Sequence, residues 1–423
     1  MNPIVVVVLL VLIGLLGAQL TFARRKVPLG PRISIAIGLP FLFVGFALGP
    51  HLLEVLSHDI VERLNPMLAL GLGWIGLLFG LQLDPGHLRQ FPARYLVLAW
   101  LQAGVAFGIV FLIGYLIADA WFSLDLGAVV LVAAATACVS TPAAIALISN
   151  TYGTRGRVTR LLFYIASLDA AVGIVALGLT NSAYRAGVLG ARAALSLFEW
   201  FAISVLLGIF FGILFLSLTR IRPRTKELLL LLIGLVLFAA GTAFYLSLSP
   251  LFICMIAGAV IGNLSPMRRR VYTALSEWEQ PIYVIMLVLA GALLEFSTWW
   301  ILPLVAAYAG LRILAKWLGG LLASKLPPPG LTLPGTFGLA LTPQGGISLA
   351  IAISFVLVYN PTGFELSTAV GLELSTAISV FFATVVIAVG ISDLIGPFLV
   401  RAVLERAGEL DGRPASAAAA AID

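Results

Sequence analysis

Residues 163–173 read FYIASLDAAVG and place one aspartate, Asp169, inside an otherwise apolar stretch. A bilayer crossing takes about 20 mostly apolar residues, and the run at about 161–180 is long enough. A carboxylate inside such a run costs about 2.5–3.5 kcal/mol on insertion scales and usually marks an ion or proton pathway. The stretch therefore predicts a membrane-spanning helix that carries a functional acid.

The whole chain has the composition of a polytopic membrane protein. Of its 423 residues, 61% are hydrophobic and 10% are charged, whereas a soluble domain has about 25% charged residues. Thirteen apolar windows lie at about 3–22, 33–50, 66–83, 95–118, 127–149, 161–180, 196–218, 227–246, 250–265, 281–294, 299–322, 334–358 and 370–398. The sequence predicts an all-α polytopic membrane protein with about 13 transmembrane helices.

Basic residues segregate between the alternate loops that join these windows. Of the 25 Lys and Arg residues, 20 fall on one predicted side and three on the other. Since cytoplasmic loops carry the excess of Lys and Arg, the N-terminus is predicted outside and the C-terminus in the cytoplasm of a cell (inner) membrane. The same rule accounts for the net charge of +6 without a nucleic-acid partner. Residues 401–423 are predicted to be a disordered cytoplasmic tail because they end in an alanine-rich run.

An internal repeat pairs each span with the one seven places later. Gly45 matches Gly258 in spans two and nine, Gly80 matches Gly291 in spans three and ten, and a Thr-Pro pair recurs in spans five and twelve. An odd offset means that the two halves enter the membrane from opposite sides. We therefore predict six-helix inverted repeats with two crossed, broken helices. The first repeat is 1–192 (spans one to six), span seven lies in the linker 193–226, and the second repeat is 227–400 (spans eight to thirteen).

The two Thr-Pro pairs predict helix breaks that frame a cation site. Proline removes a backbone donor, and an interrupted helix is tolerated in a membrane only where it is buried in protein or lines a cavity. The predicted helix-breaking residues are Pro142, Pro343, Gly345 and Gly346. Oxygen ligands suit hard cations, so a monovalent cation is predicted at Asp169 with ligands from Ser140, Thr141, Thr342 and Gln344.

Other charged residues inside the spans have more than one interpretation. Arg312, near the middle of span eleven, could offset backbone carbonyls at a helix break, pair with a carboxylate, or extend with Lys316 to the inner surface. We assign Arg312 a charge-balancing role. Glu199, Glu373 and Asp393 lie nearer the predicted span ends, where solvated caps are expected.

No pattern in the sequence predicts an enzyme or a cofactor. Both cysteines, Cys138 and Cys254, lie in apolar runs, and the three histidines lie in loops or at span ends. The sequence contains no nucleophile triad, phosphate loop or metal-spaced cluster.

Five segments together resemble the monovalent cation/proton antiporter superfamily, sodium or potassium/proton exchanger type. They are LFVGFALGP (42–50), GWIGLLFGLQLD (73–84), STPAAIAL (140–147), SLDAAVG (167–173) and PQGGISLAIAIS (343–354). The resemblance implies that Asp169 is the ion-carrying aspartate, with Ser140 in the threonine place and Thr141 in the aspartate place of a helix-break motif. It places Gln344 as in the potassium-efflux branch, and it implies a homodimer.

Two departures from the family pattern affect the expected charge balance. Leu168 precedes the aspartate where the family has Asn, Asp or Gln, and the tenth predicted span has no Lys or Arg. In the family, a paired acid and that lysine accompany electrogenic exchange. Their absence implies electroneutral, one-for-one exchange.

Three functions follow as hypotheses. The leading one is a secondary active transporter that exchanges Na⁺ or K⁺ for H⁺ by alternating access. The second is a sodium-coupled symporter of an organic solute on a related fold, which would take up solute without releasing protons. The third, suggested by Leu168, is a non-transporting ion- or pH-sensing membrane subunit that would bind an ion without flux.

Overall fold

A computed structural model describes residues 3–22, 38–83, 92–121, 126–188, 195–221, 223–295, 300–327, 330–365 and 369–410. The regular structure of these residues is all helical, as predicted. The α-helices are α1 (Pro3–Phe22), α2 (Leu39–Leu48), α3 (His58–Arg63), α4 (Asn65–Gln82), α5 (Ala93–Trp121), α6 (Gly127–Cys138), α7 (Pro142–Tyr152), α8 (Arg157–Val188), α9 (Leu197–Leu218), α10 (Thr225–Tyr245), α11 (Pro250–Leu264), α12 (Arg268–Ala292), α13 (Ile301–Ser324), α14 (Gly345–Glu365) and α15 (Ala369–Arg406). Two short 3₁₀ helices lie at Thr219–Ile221 and Phe337–Leu341.

Helical residues coincide with each of the thirteen predicted spans. Eight stretches of the described residues are long and apolar enough to cross a bilayer, and three shorter helical stretches are also apolar. The tenth span differs most, because its helix begins at Arg268 rather than near residue 281 and keeps Pro281 in its interior. The last span also extends further, to Arg406 rather than to about residue 398.

The chain forms two compact units that alternate along the sequence. The first comprises Met1–Leu88, Leu177–Ser297 and Ile353–Phe382, and the second comprises Arg89–Ala176, Thr298–Ala352 and Ala383–Asp423. Each unit thus takes segments from both predicted repeats. The predicted repeats are defined by sequence similarity and the two units by their internal packing, so the units do not test the repeat boundaries, which remain a prediction.

Glycines allow very close helix packing in the first unit. A Cβ atom at Gly80 of α4 would collide with the Met255 carbonyl of α11, and one at Gly291 of α12 would collide with the Leu42 carbonyl of α2. Small residues of this kind let backbones approach within membranes. Gly80 packs on Gly258, and Gly45 packs on Gly291. Because the sequence pairs Gly45 with Gly258 and Gly80 with Gly291, the two contacts exchange under the predicted repeat.

In the second unit, α13 is held between α5 and the 3₁₀ helix Phe337–Leu341. Gly320 and Gly338 face each other, and a Cβ atom at Gly338 would collide with the Lys316 carbonyl. The fully buried Gln102 side chain of α5 donates a hydrogen bond to that carbonyl at 3.0 Å. The backbone around Lys316 is therefore fixed from both sides.

The residues after α15 cap the start of α8, the helix that carries Asp169. The Glu409 carboxylate accepts hydrogen bonds from the backbone amides of Val158 (2.6 Å) and Thr159 (3.0 Å) and from the Thr159 hydroxyl (2.7 Å). A carboxylate at a helix N-terminus satisfies unpaired amides and complements the helix dipole. Glu409 therefore anchors the first turn of α8.

We expect Glu409→Gln to lower the stability of the protein by about 1–2 kcal/mol, because it removes the charge from this cap. Thermal unfolding of the detergent-solubilised protein measures the change. The matched control is Glu405→Gln, since Glu405 forms only an exposed ion pair with Arg401 at 2.7 Å. Equal melting temperatures for both variants would contradict the capping role.

Candidate functional site

The first helix break separates α6 from α7 within span five. Helix α6 ends at Cys138, and α7 begins at Pro142. Proline suits a first helical position, because a backbone amide there would have no acceptor within the helix. Thr141 is the N-cap of α7, and its hydroxyl accepts the Ala143 amide at 3.3 Å. The predicted break at Thr141-Pro142 is therefore present.

The second break separates the 3₁₀ helix Phe337–Leu341 from α14 within span twelve. Gly345 has a φ of 68°, in the left-handed region that favours glycine. A Cβ atom there would also lie 2.6 Å from the Thr141 Cβ. Glycine is thus required at position 345 by both conformation and space, while Gly346 lies half-buried in the first turn of α14.

The two breaks contact each other through their backbones. The Thr141 amide donates a hydrogen bond to the Pro343 carbonyl at 2.8 Å. The Ser140 hydroxyl lies 2.9 Å from the Leu341 carbonyl. Residues that are about 200 positions apart in sequence therefore form one junction, which lies entirely within the second unit.

Asp169 lies at this junction and forms a buried ion pair with Lys316. Its Oδ2 is 2.7 Å from the Lys316 Nζ and 2.8 Å from the Ser140 hydroxyl, and both charged side chains have no exposed surface. The Lys316 ammonium also donates to the Cys138 carbonyl (2.6 Å) and to the Ser140 hydroxyl (2.8 Å), so its three protons all have acceptors. The predicted acid of α8 thus has a specific cationic partner.

Arg312 binds the backbone carbonyls at the two breaks. Its guanidinium donates to the Val139 carbonyl at 2.8 Å and to the Thr342 carbonyl. These carbonyls follow the C-terminal ends of α6 and of the 3₁₀ helix, where a positive charge is favourable. Three roles were considered for Arg312 from the sequence, and the structure shows the first of them, in which its side chain binds backbone carbonyls at the helix breaks.

Gln344 and Asp393 complete the second break. The Gln344 side-chain amide donates to the Thr136 carbonyl at 3.0 Å and lies 3.4 Å from the Tyr308 hydroxyl. Asp393 of α15 accepts the backbone amides of Gln344 (2.7 Å) and Gly345 (3.0 Å). A single carboxylate therefore receives the first amides of α14.

Among the residues that the structure describes, several oxygens at the junction have no hydrogen-bond partner. They are Oδ1 of Asp169, Oγ1 of Thr342 and Oε1 of Gln344, and all are buried. An unpaired buried acceptor is costly, and a bound ion is one of the explanations for such a group in a folded protein. These atoms are candidate cation ligands.

The structure excludes one of the alternatives considered for Lys316 and contradicts the expectation for Asp393. Lys316 does not extend to the inner surface, because it is fully buried against Asp169. The absence of a basic residue from the tenth span therefore did not leave Asp169 without a lysine, since span eleven supplies one. Asp393 is 5% exposed and hydrogen-bonded to backbone amides, so it is not a solvated cap.

The remaining acids differ from Asp393. Glu199 does form an exposed cap, in which its carboxylate accepts the Ser196 amide at 2.5 Å. The side chain of Glu373 lies outside the described residues.

Depth within the membrane is the signal that marks Lys316 and Asp393, and it becomes readable once the helix ends are known. Counted from the inner helix ends in the structure, Asp169 lies 12 residues after Arg157, Asp393 lies 13 before Arg406, and Lys316 lies 8 before Ser324. At 1.5 Å per residue these depths are roughly 18, 20 and 12 Å. Opposite charges at similar depths in different spans are candidates for an ion pair.

Comparisons with known proteins agree with this architecture. Residues 7–406 match the family described as sodium/hydrogen exchanger, transmembrane. No sequence among the curated proteins matches the chain. The structure of the sodium proton antiporter MjNhaP1 from Methanocaldococcus jannaschii at pH 8 is similar, with a TM-score of 0.68 and 16% identity over 96% of this chain and 99% of that one.

An electron-microscopy structure of the same antiporter gives a TM-score of 0.67, at 16% identity over 98% of this chain and 100% of the other. At such identities the likeness shows a shared fold. The family match covers nearly all of the chain and includes both helix breaks and Asp169. This chain therefore belongs to the transmembrane sodium/hydrogen exchanger family.

Proposed function

We propose that the protein is a secondary active transporter that exchanges a monovalent cation, Na⁺ or K⁺, for a proton, and that the Asp169–Lys316 pair is the site where the two compete, with Asp169 as the cation-binding group. One observation carries the proposal: Asp169 is fully buried at the junction of two helix breaks and is ion-paired to Lys316 through one oxygen, while its other oxygen has no hydrogen-bond partner in the described part of the chain. A carboxylate in this position binds a cation only by giving up its present counterion.

Charge balance at the ion pair favours one-for-one exchange. When a cation binds the Asp169 carboxylate and the Lys316 ammonium loses one proton to water, the charge of the pair remains zero. The reverse step takes up one proton and releases the cation. We therefore still propose electroneutral exchange. The reason is now the constant charge of the Asp169–Lys316 pair, and no longer the absence of a lysine.

The unpartnered oxygens of Thr342 and Gln344 are proposed as further cation ligands. Ser140 contacts both members of the ion pair and is a candidate once Lys316 moves away. Thr141 is less available, because its hydroxyl caps α7. Arg312 is proposed to balance charge by holding the carbonyls at the two breaks, so that they remain in place when the cation enters.

The setting of the exchange is also a proposal. The excess of basic residues on one predicted side supports an N-terminus outside and a C-terminus in the cytoplasm of the cell (inner) membrane. Family resemblance supports a homodimer and alternating access. The structure describes one chain, so crosslinking in native membranes is the test of the dimer.

Proteoliposomes with a pH-sensitive dye inside test the function. Addition of Na⁺ or K⁺ to acid-loaded vesicles is expected to release protons, and comparison of the two cations identifies the substrate. Uptake of an organic solute driven by Na⁺ without proton release would favour the symporter. Radiolabelled cation binding without flux would favour the sensing subunit.

Competition between cation and proton gives a pH dependence with a definite sign. Where the proton-loaded form predominates, the apparent KM for the cation should fall by up to about tenfold for each unit of pH increase, because each cation displaces one proton. Initial rates against cation concentration at several pH values measure this change. A KM that is constant, or that rises with pH, would exclude competition for one site.

A further inference from the structure

Asp393 is the buried charge that the proposed exchange step does not use. The four charged side chains that are buried in the described part of the chain are Asp169, Lys316, Arg312 and Asp393. Asp169 and Lys316 pair directly, and Arg312 binds carbonyls. The Asp393 carboxylate binds amides, with one oxygen 2.7 Å from the Gln344 nitrogen and both oxygens 3.0 Å from the Gly345 nitrogen.

The helix that carries Asp393 is shaped to approach the second break. Gly396, three residues further along α15, has no side chain, and a Cβ atom there would collide with the ring of Pro343. Pro343 directly precedes Gln344, whose amide Asp393 receives. The close contact at Gly396 therefore holds the carboxylate at the start of α14.

The two breaks are capped differently. At the first, the neutral Thr141 hydroxyl accepts an amide of α7. At the second break, the buried carboxylate of Asp393 accepts the backbone amide of Gln344. Since Arg312 contacts the carbonyls of both breaks, the charge of Asp393 offsets that of Arg312, and the four buried charges sum to zero.

We propose that Asp393 is a positioning residue that sets the affinity of the site for its cation. It holds the segment that bears the unpartnered oxygens of Thr342 and Gln344, and its negative charge offsets Arg312 beside the entering cation. Without that charge the buried set has a net charge of +1 and repels a cation. This inference rests on the proposed exchange function and adds to it a determinant of affinity outside the Asp169–Lys316 pair.

The substitution Asp393→Asn tests the charge, because asparagine retains an oxygen that can accept the same amides. The apparent KM for the transported cation should rise at least about tenfold, because an uncompensated charge in a protein interior acts with little screening. The maximal rate should change less than about threefold per folded protein, because Asp169 and Lys316 remain.

The matched control is Glu199→Gln, since Glu199 also accepts a backbone amide at a helix N-terminus but is solvent-exposed. Its KM should be unchanged.

Both proton flux and binding of radiolabelled ²²Na⁺ or ⁸⁶Rb⁺ to the purified protein are measured. If the wild type exchanges cations and Asp393→Asn retains the wild-type KM while losing only stability, the inference is overturned and the proposed function stands. If the wild type neither binds nor exchanges either cation, the proposed function fails and the inference fails with it.

Should Asp393→Asn not fold, Gly396→Ala provides a second test, because it pushes α15 away from Pro343 without changing charge. A raised KM in Gly396→Ala supports the positioning role. A wild-type KM in that variant overturns it.

Discussion

Asp169→Asn is expected to abolish cation-dependent proton flux, with a fall of at least about 100-fold, which corresponds to about 2.7 kcal/mol. The neutral amide of asparagine cannot offset the charge of a bound cation, and it leaves the buried Lys316, which carries the exchanged proton in the proposed step, without its counterion. Dye-reported proton release from proteoliposomes on addition of the cation measures the loss. The rate should equal that of protein-free vesicles.

Two controls separate loss of chemistry from loss of protein. Glu199→Gln makes the same change at an exposed carboxylate and should keep the wild-type rate. Size-exclusion profiles and melting temperatures of the detergent-solubilised Asp169→Asn protein show whether it is folded. Full flux in a folded Asp169→Asn variant would exclude Asp169 as the group that binds the cation.

Lys316→Met is expected to cause the largest loss of stability. Removing one partner of a buried ion pair typically costs about 3–5 kcal/mol, because the other charge is left uncompensated. The substitution also leaves the Cys138 carbonyl without the donor that Lys316 supplies. Thermal unfolding of the detergent-solubilised protein should show a fall in melting temperature of several degrees.

The double variant Asp169→Asn with Lys316→Met should be more stable than Lys316→Met alone, because no unpaired charge remains. Arg401→Met is the matched control, since its ion pair with Glu405 is exposed and surface pairs are worth at most about 1 kcal/mol. If the Lys316→Met protein were as stable as the wild type, the ion pair between Lys316 and Asp169 would not stabilise the fold.

Much of the fold follows from the sequence because the bilayer imposes one length on every crossing. Apolar windows of about 20 residues locate the spans, and each window contains helical residues. The breaks at Thr141-Pro142 and Thr342-Pro343 were predictable because proline removes a backbone donor. Helix ends were less predictable, as α12 and α15 show, since a helix can continue past the apolar window and can contain proline.

The partners within the site were harder to predict because they depend on which faces of distant helices meet. Asp169 was identified as a lone acid in an apolar run, whereas Lys316 lies 147 positions away and its distance from Asp169 appears only in three dimensions. Asp393 was misjudged because α15 extends beyond the apolar window, which places the residue deeper than its distance from the window's end implied. The depth of every charged residue in the middle of a span, basic as well as acidic, should therefore be compared with that of charged residues in other spans.

The central claim is that one cation replaces one proton at the Asp169–Lys316 pair. Its most direct test is simultaneous recording of dye-reported proton flux and of electrical current from wild-type proteoliposomes on solid-supported membranes, with the membrane potential free and then clamped by a permeant anion. We predict proton release at the same initial rate in both conditions, no steady current, and neither signal in Asp169→Asn. A steady current that accompanies exchange, or a rate that depends on the clamp, would contradict one-for-one exchange at this site.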